Sequence, residues 1–219
     1  MKNQKKKDII YNYINKNYDM NTPIFIKDLY GAFPDISEST IRSILKRFTE
    51  TGSIEKIKKG VYALPNKKSI LGKATVWISD VIENKYLKVD NERIGYRSGI
   101  NFANQLGLTS QTASVEEIYS NIVSNKKREI KLKNNRLIVN APRVKVTEKN
   151  YRLMQVLDLL NKYDRYSEYD LKQSASKILK VISNIELSED ELEEVVSAYP
   201  LETQVKFYKI GGANVITQK

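Results

Sequence analysis

Neither cysteine nor histidine occurs anywhere in the 219 residues. Without cysteine there are no disulfides and no thiolate chemistry. Without histidine a Ser-His-Asp or Cys-His machine is impossible, and so are zinc sites built on those two residues. Any catalysis would rest on carboxylates, lysine, tyrosine or a carboxylate-bound metal. No apolar run approaches the ~20 residues that a membrane span needs. A signal peptide is not expected either. Met1 to Lys7 is basic, but Asp8-Ile9-Ile10-Tyr11 stands where a long apolar core would follow. The expected location is the cytoplasm, with no membrane partner. No internal repeat or low-complexity tract is present.

What is there is globular. Hydrophobic residues make up 41% and charged residues 29%, too apolar for a disordered chain. The length suits one or two domains, each with its own core. The net charge is +11. Residues 1–68 hold 14 Lys and Arg against 7 Asp and Glu, and residues 69–219 hold 23 against 19. The excess is thus concentrated in the smaller N-terminal part. Such a surface favours nucleic acid, because cations release counterions from phosphates. Solubility alone is the other explanation.

The stretch from Ile36 to Pro65 organises the rest. Ser37 is placed to cap a helix. Ile41, Ile44, Leu45 and Phe48 recur at three- and four-residue steps and predict one buried stripe. Ser39, Thr40, Arg42, Ser43, Lys46 and Arg47 are left facing outward, with no acid among them. Gly52 ends the helix. Ile54 to Ile57 and Val61 to Leu64 read as strands about the tip Lys58-Lys59-Gly60. Upstream, Lys5 to Tyr18 reads as a helix with Ile9, Ile10, Tyr13 and Ile14 inward. Ile24 to Ile26 reads as a third strand beside the hairpin, and Lys27 to Phe33 as a short helix. Helix, strand, helix, helix and a two-stranded wing is the winged helix-turn-helix order, with double-stranded DNA as the expected partner. A winged helix that binds protein has the same pattern.

In a major groove, Arg42 can grip guanine with two hydrogen bonds, and Ser39, Thr40 and Ser43 can reach base edges or phosphates. Lys46 and Arg47 lie further along and suit the DNA backbone. Lys56, Lys58 and Lys59 on the wing suit phosphates or the minor groove. Tyr62 reads as core. The bland reading of the helix is an ordinary solvated face.

Beyond a linker at 65–69 the composition changes. A helix is expected over Thr75 to Leu87, with Trp77, Ile78, Val81 and Ile82 inward. Ile94 to Gly99 reads as a tight passage into a helix, Ile100 to Leu106. Thr109 to Ser114 is a polar loop. Strands are expected at Val115 to Val123, Glu129 to Leu132 and Leu137 to Asn140, with Asn134-Asn135 turning the last pair. Helices follow over Asn150 to Tyr163, Tyr169 to Ile182, from Ser188 to Pro200, and Leu201 to Lys209. Gly211-Gly212 then opens a loose tail. The acidic run Glu186 to Glu194 has helix N-terminus spacing, with Ser188 and Glu191 as a capping box, and not that of a metal site. Gly95, Gly99 and Gly107 form no phosphate loop, since no Lys-Ser or Lys-Thr pair follows. No catalytic residue, metal or cofactor is assigned.

Two motifs carry a resemblance. SESTIRSILKRFTETGSIEKIKKGVYALP resembles the winged helix of AbiEi-type antitoxins. IGYRSGINFANQLGLTSQTAS resembles the core of the same group, where a Gly-Tyr, a Ser-Gly, an Ala-Asn and a Leu-Gly-Leu-Thr-x-Gln recur. The resemblance covers residues 1–165. It implies a type IV toxin–antitoxin pair of an abortive-infection (phage-defence) system. It implies autorepression, through operator inverted repeats at the shared promoter. It also implies neutralisation of a cognate nucleotidyltransferase-like toxin, not necessarily by stable contact. Tyr96, Arg97, Ser98, Asn104, Gln105, Thr109 and Gln111 match the second motif and are candidates for the antitoxic surface. Their other reading is that they cap helices and brace loops.

The expectation is therefore an α+β protein: a winged helix-turn-helix over residues 1–68, then a mixed α+β domain over 69–219, helical from about 150. A plain winged-helix regulator, whose large domain senses a ligand or dimerises, is the alternative. A DNA-processing enzyme is disfavoured, because histidine and any carboxylate cluster are lacking.

Overall fold

The computed structural model describes residues 2–20, 22–65, 78–89, 92–124, 127–132 and 135–217. The fold is mixed α+β. The chain divides into two compact units, 1–82 and 83–219. Residues 66–69 of the expected 65–69 linker, Thr75 to Trp77 of the expected helix and Asn134 of the expected hairpin turn lie outside the described residues.

In unit 1, helix α1 (Lys2–Asn17) buries Ile10 and Ile14, one turn apart. Ile9 was expected beside them but is 46% exposed. One residue along a helix is a rotation of about 100°, which carries it off the stripe. Strand β1 (Ile24–Phe25) and helix α2 (Ile26–Ala32) follow, and α2 buries Leu29. Helix α3 (Glu38–Glu50) buries the expected stripe of Ile41, Ile44, Leu45 and Phe48. Ser37 caps it, its Oγ accepting from the Thr40 N–H at 3.3 Å. Gly52 stops it with φ +69. That left-handed turn lets the Gly52 N–H reach the Thr49 carbonyl at 3.2 Å and the Ser53 N–H reach that of Phe48 at 2.8 Å.

Strands β2 (Glu55–Lys58) and β3 (Val61–Ala63) complete an antiparallel sheet of order β1-β3-β2. The ladder sets Lys56 opposite Tyr62 and Lys58 opposite Val61, so Ile57 is bulged out of register. Ile24, Ile54 and Tyr62 join the core of α1 to α3. The other sheet face, with Phe25, Ile57, Val61 and Ala63, packs against Val81 of helix α4 (Ile78–Ile82). Both faces are covered, which explains why all three β3 residues are buried.

Unit 2 opens with a π-helical turn, Glu83–Leu87, that buries Tyr86 and Leu87. A short hairpin of β4 (Lys88–Val89) and β5 (Glu92–Arg93) follows. The expected tight passage at 95–98 is instead strand β6 (Gly95–Ser98), leading into helix α5 (Gly99–Gln105). Strands β7 (Val115–Ser120), β8 (Arg128–Leu132) and β9 (Asn135–Asn140) complete a sheet of order β6-β7-β9-β8. Within it β7 and β9 run parallel and the other pairs antiparallel. A glycine is required at 95, because a Cβ there would collide with the carbonyl oxygens of Tyr86 and Tyr119.

The rest of unit 2 is helical. Helix α6 (Tyr151–Asn161) buries Leu153, Val156, Leu157 and Leu160. They pack with residues of α8 (Leu171–Ile182), α9 (Glu189–Ser197) and α10 (Leu201–Lys209). A four-residue turn, α7 (Tyr163–Tyr166), links α6 to α8. The capping box at α9 forms as expected, with the Ser188 N–H on Glu191 Oε2 at 2.9 Å and the Glu191 N–H on Ser188 Oγ at 3.2 Å. The tail is not loose as far as it is described. Helix α11 (Gly212–Thr217) sets Gly212 against the Phe207 ring and buries Ile216.

Candidate nucleic-acid interface

The buried stripe of α3 fixes which of its residues face water. Ser39, Arg42, Ser43, Lys46 and Arg47 are exposed and Thr40 is half-buried. The hydroxyls are not idle. Ser37 Oγ lies 2.8 Å from Thr40 Oγ1 and 3.1 Å from Ser39 Oγ. Ser43 Oγ donates to the Ser39 carbonyl at 2.9 Å. Ser43 therefore spends its only donor inward and presents acceptor lone pairs outward.

The face is less purely basic than the sequence suggests. Glu38 Oε2 sits 2.6 Å from the Arg42 guanidinium, which also lies 5.5 Å over the Tyr30 ring. Glu50 sits 3.8 Å from Lys46 Nζ. Both pairs link neighbouring turns of one helix and both are more than half exposed. Such pairs are worth about 0–1 kcal/mol, so an incoming anion displaces them at little cost. Arg47 has no carboxylate partner among the described residues. On the hairpin, Lys56 and Lys59 are exposed and Lys58 is half-buried. The covering of the outer sheet face by α4 leaves the edge strand and tip as the accessible part of the hairpin. Sequence reasoning did not place Val81 on this sheet. Its inward period over Ile78, Val81 and Ile82 was visible, but not the surface it would cover.

The second motif folds inward. Tyr96, Ser98 and Thr109 are 1%, 3% and 6% exposed, so these three candidates for an antitoxic surface are interior residues. The Tyr96 hydroxyl donates to Asp158 Oδ2 at 2.5 Å, and its ring stacks on Tyr119 at 5.2 Å. Thr109 Oγ1 donates to Glu168 Oε1 at 2.8 Å, where the Ser110 N–H also donates at 2.9 Å. The Ser110 N–H, then Thr109, hold the Glu168 carboxyl below its ordinary range. Asn104 is exposed, with Nδ2 donating to the Thr109 carbonyl at 3.1 Å. Arg97 bridges Glu83 at 3.0 Å and Glu116 at 2.9 Å. Gln105 and Gln111 are exposed. Of the seven, Asn104, Gln105 and Gln111 reach the surface and Arg97 does so partly.

Asp158 is the buried charge that the sequence reading passed over. It is 2% exposed on α6, amid the apolar stripe. Burial pushes its carboxyl up to about 7, against the opposing pull of the Tyr96 hydrogen bond and of Arg143 and Lys162. Nearby, Glu117 is gripped by Lys162 Nζ and the Tyr166 hydroxyl, both at 2.9 Å. The signal was present in the sequence as the sole acid inside an apolar helix.

A shallow cleft of about 320 Å³ is walled by polar groups, among them Asp164, Glu168 and Asp170. It lacks the apolar lining usual for small-molecule sites. Among the described residues no cluster of three acidic side chains is arranged to hold a metal ion, and no helix is long and apolar enough to cross a membrane. No protein-family model matches the chain, and no curated protein matches it.

Proposed function

We propose that this chain is a DNA-binding antitoxin that represses its own operon. In this reading unit 1 is a winged helix-turn-helix and α3 enters the major groove of operator DNA. Arg42 leaves Glu38 to grip guanine. Ser39, Thr40 and Ser43 read neighbouring base edges or phosphates, and Ser43 favours a base that donates. Lys46, Arg47, Lys56, Lys58 and Lys59 hold the phosphate backbone. The observation that carries the reading is the pairing of α3, outward-facing and rich in hydroxyls and cations, with a basic hairpin on one core. Two copies on an inverted repeat would block the promoter, and the protein would act in the cytoplasm.

The antitoxic role is assigned to unit 2 and rests on the resemblance to AbiEi-type antitoxins. Its surface would use Asn104, Gln105, Gln111 and Arg97, while Tyr96, Ser98 and Thr109 keep that surface in shape. The toxin is a nucleotidyltransferase-like protein from the adjoining gene, countered with or without stable contact. Co-expression tests this. The chain restores growth to cells making that toxin, and still does so when Arg42, Lys58 and Lys59 are replaced by alanine. Failure to restore growth removes the antitoxin role and leaves a plain winged-helix regulator. The polar cleft of unit 2 offers that alternative no evident apolar ligand pocket.

A further inference from the structure

Helix α10 is pinned on one side and bare on the other. Thr203 and Phe207 are buried, and Thr203 Oγ1 bonds Asn161 Oδ1 at 3.1 Å. Lys206 Nζ reaches Asp164 at 3.1 Å and Glu202 at 2.8 Å. The helix is therefore fixed before anything meets its outer face. On that face Leu201, Val205 and Tyr208 are 74%, 55% and 52% exposed. Spacings of four and three residues put them on one seam, the pattern that pairs helices. Among the described residues no other helix shows three large apolar side chains so exposed.

The flank of the seam says what covers it. Glu202 follows Leu201 and Lys209 follows Tyr208, so the two charges lie two turns apart on the same side. Two copies packed antiparallel about a two-fold axis near Val205 bring Leu201 of each against Tyr208 of the other. Val205 then meets Val205, and Glu202 meets Lys209. Parallel packing about a two-fold axis along the helices would put the charged flank of one copy on the opposite side of the seam from that of the other, so Glu202 and Lys209 would not meet. The charge pairing is thus available in the antiparallel orientation, where the patch is complementary to itself.

We propose that α10 pairs antiparallel with α10 of a second copy of this chain. The inference goes beyond the DNA-binding reading and does not rest on it. A helix of this length spans only about 13 Å. It buries well under the ~800 Å² per partner of a standard stable interface, so the dimer dissociates on dilution. If unit 1 also binds DNA, the pairing raises the effective concentration of one copy beside the other on an inverted repeat.

Sedimentation velocity on the full chain without DNA tests this, from about 5 to 500 μM, a range that spans weak association. The wild type shifts from one copy toward two as concentration rises. Val205→Asp stays at one copy throughout with unchanged circular dichroism, since position 205 faces solvent. Glu202→Lys and Lys209→Glu each weaken association several-fold, and the double variant recovers it. Three results would overturn the proposal: a wild type that is monomeric over the whole range, Val205→Asp associating as well as wild type, or a double variant no better than the singles. Because no DNA is present, any of these leaves the DNA-binding reading standing, and a failure to bind DNA leaves the dimer standing.

Discussion

Replacing Asp158 with asparagine should remove a pH dependence that this one buried carboxyl imposes on unit 2. The group titrates at an ordinary 3.8 when the chain is unfolded and at about 7 when folded, chiefly because burial penalises its charge. A folded value above the unfolded one means stability that is complete below 3.8 and lost as pH rises through about 7. The gap corresponds to roughly 4 kcal/mol in full, of which about 2.5 kcal/mol falls between pH 5 and pH 8. Asparagine is neutral throughout and its amide oxygen can still accept from Tyr96. Urea unfolding at pH 5, 6, 7 and 8 gives the comparison, with the transition of unit 2 fitted by itself. The variant's stability relative to the wild type should rise by roughly 2.5 kcal/mol between pH 5 and pH 8. A stability difference between the two proteins that does not move with pH would refute the reasoning. Other carboxylates are common to both proteins and cancel from that difference.

Other outcomes follow from the same geometry. If α3 reads DNA as proposed, Arg42→Ala relaxes base preference by ~1–3 kcal/mol at one position, visible in competition binding with single-base variants of the site. Lys58→Ala with Lys59→Ala instead weakens binding to every duplex and flattens the salt dependence by about 2 in the log–log slope. Glu38→Gln frees Arg42 and removes a negative charge from the face, so duplex affinity measured by fluorescence anisotropy rises; a fall would mean that Glu38 holds Arg42 ready rather than back. Gly95→Ala drives a methyl group into two carbonyl oxygens and should lower the stability of unit 2 by ~1–3 kcal/mol or more in thermal melts.

Much of unit 1 was legible because its signals are local. The α3 stripe, the Ser37 cap and the Gly52 stop each lie within one helix or the turn beside it. Those features follow from spacing and backbone chemistry without reference to the rest of the chain. The capping box of Ser188 and Glu191 was legible for the same reason. What escaped depends on contacts distant in sequence. Strand β6 looked like a turn because glycine stands at 95 and again at 99. Its need for glycine at 95 comes from the Tyr86 and Tyr119 carbonyls. The end of the chain looked loose because of Gly211-Gly212, yet Phe207 packs where a side chain at 212 would be. Polar residues in the second motif read as surface because nothing local shows that Asp158 and Glu168 wait to receive Tyr96 and Thr109.

The central claim is that unit 1 recognises a particular DNA sequence. Its most direct test is a titration of the full chain onto the duplex upstream of its own gene, against a scrambled duplex of the same composition, at about 150 mM salt. The account predicts a preference for the upstream duplex of ~10³ or more, with each affinity falling as salt rises. Equal affinity for the two duplexes would contradict it.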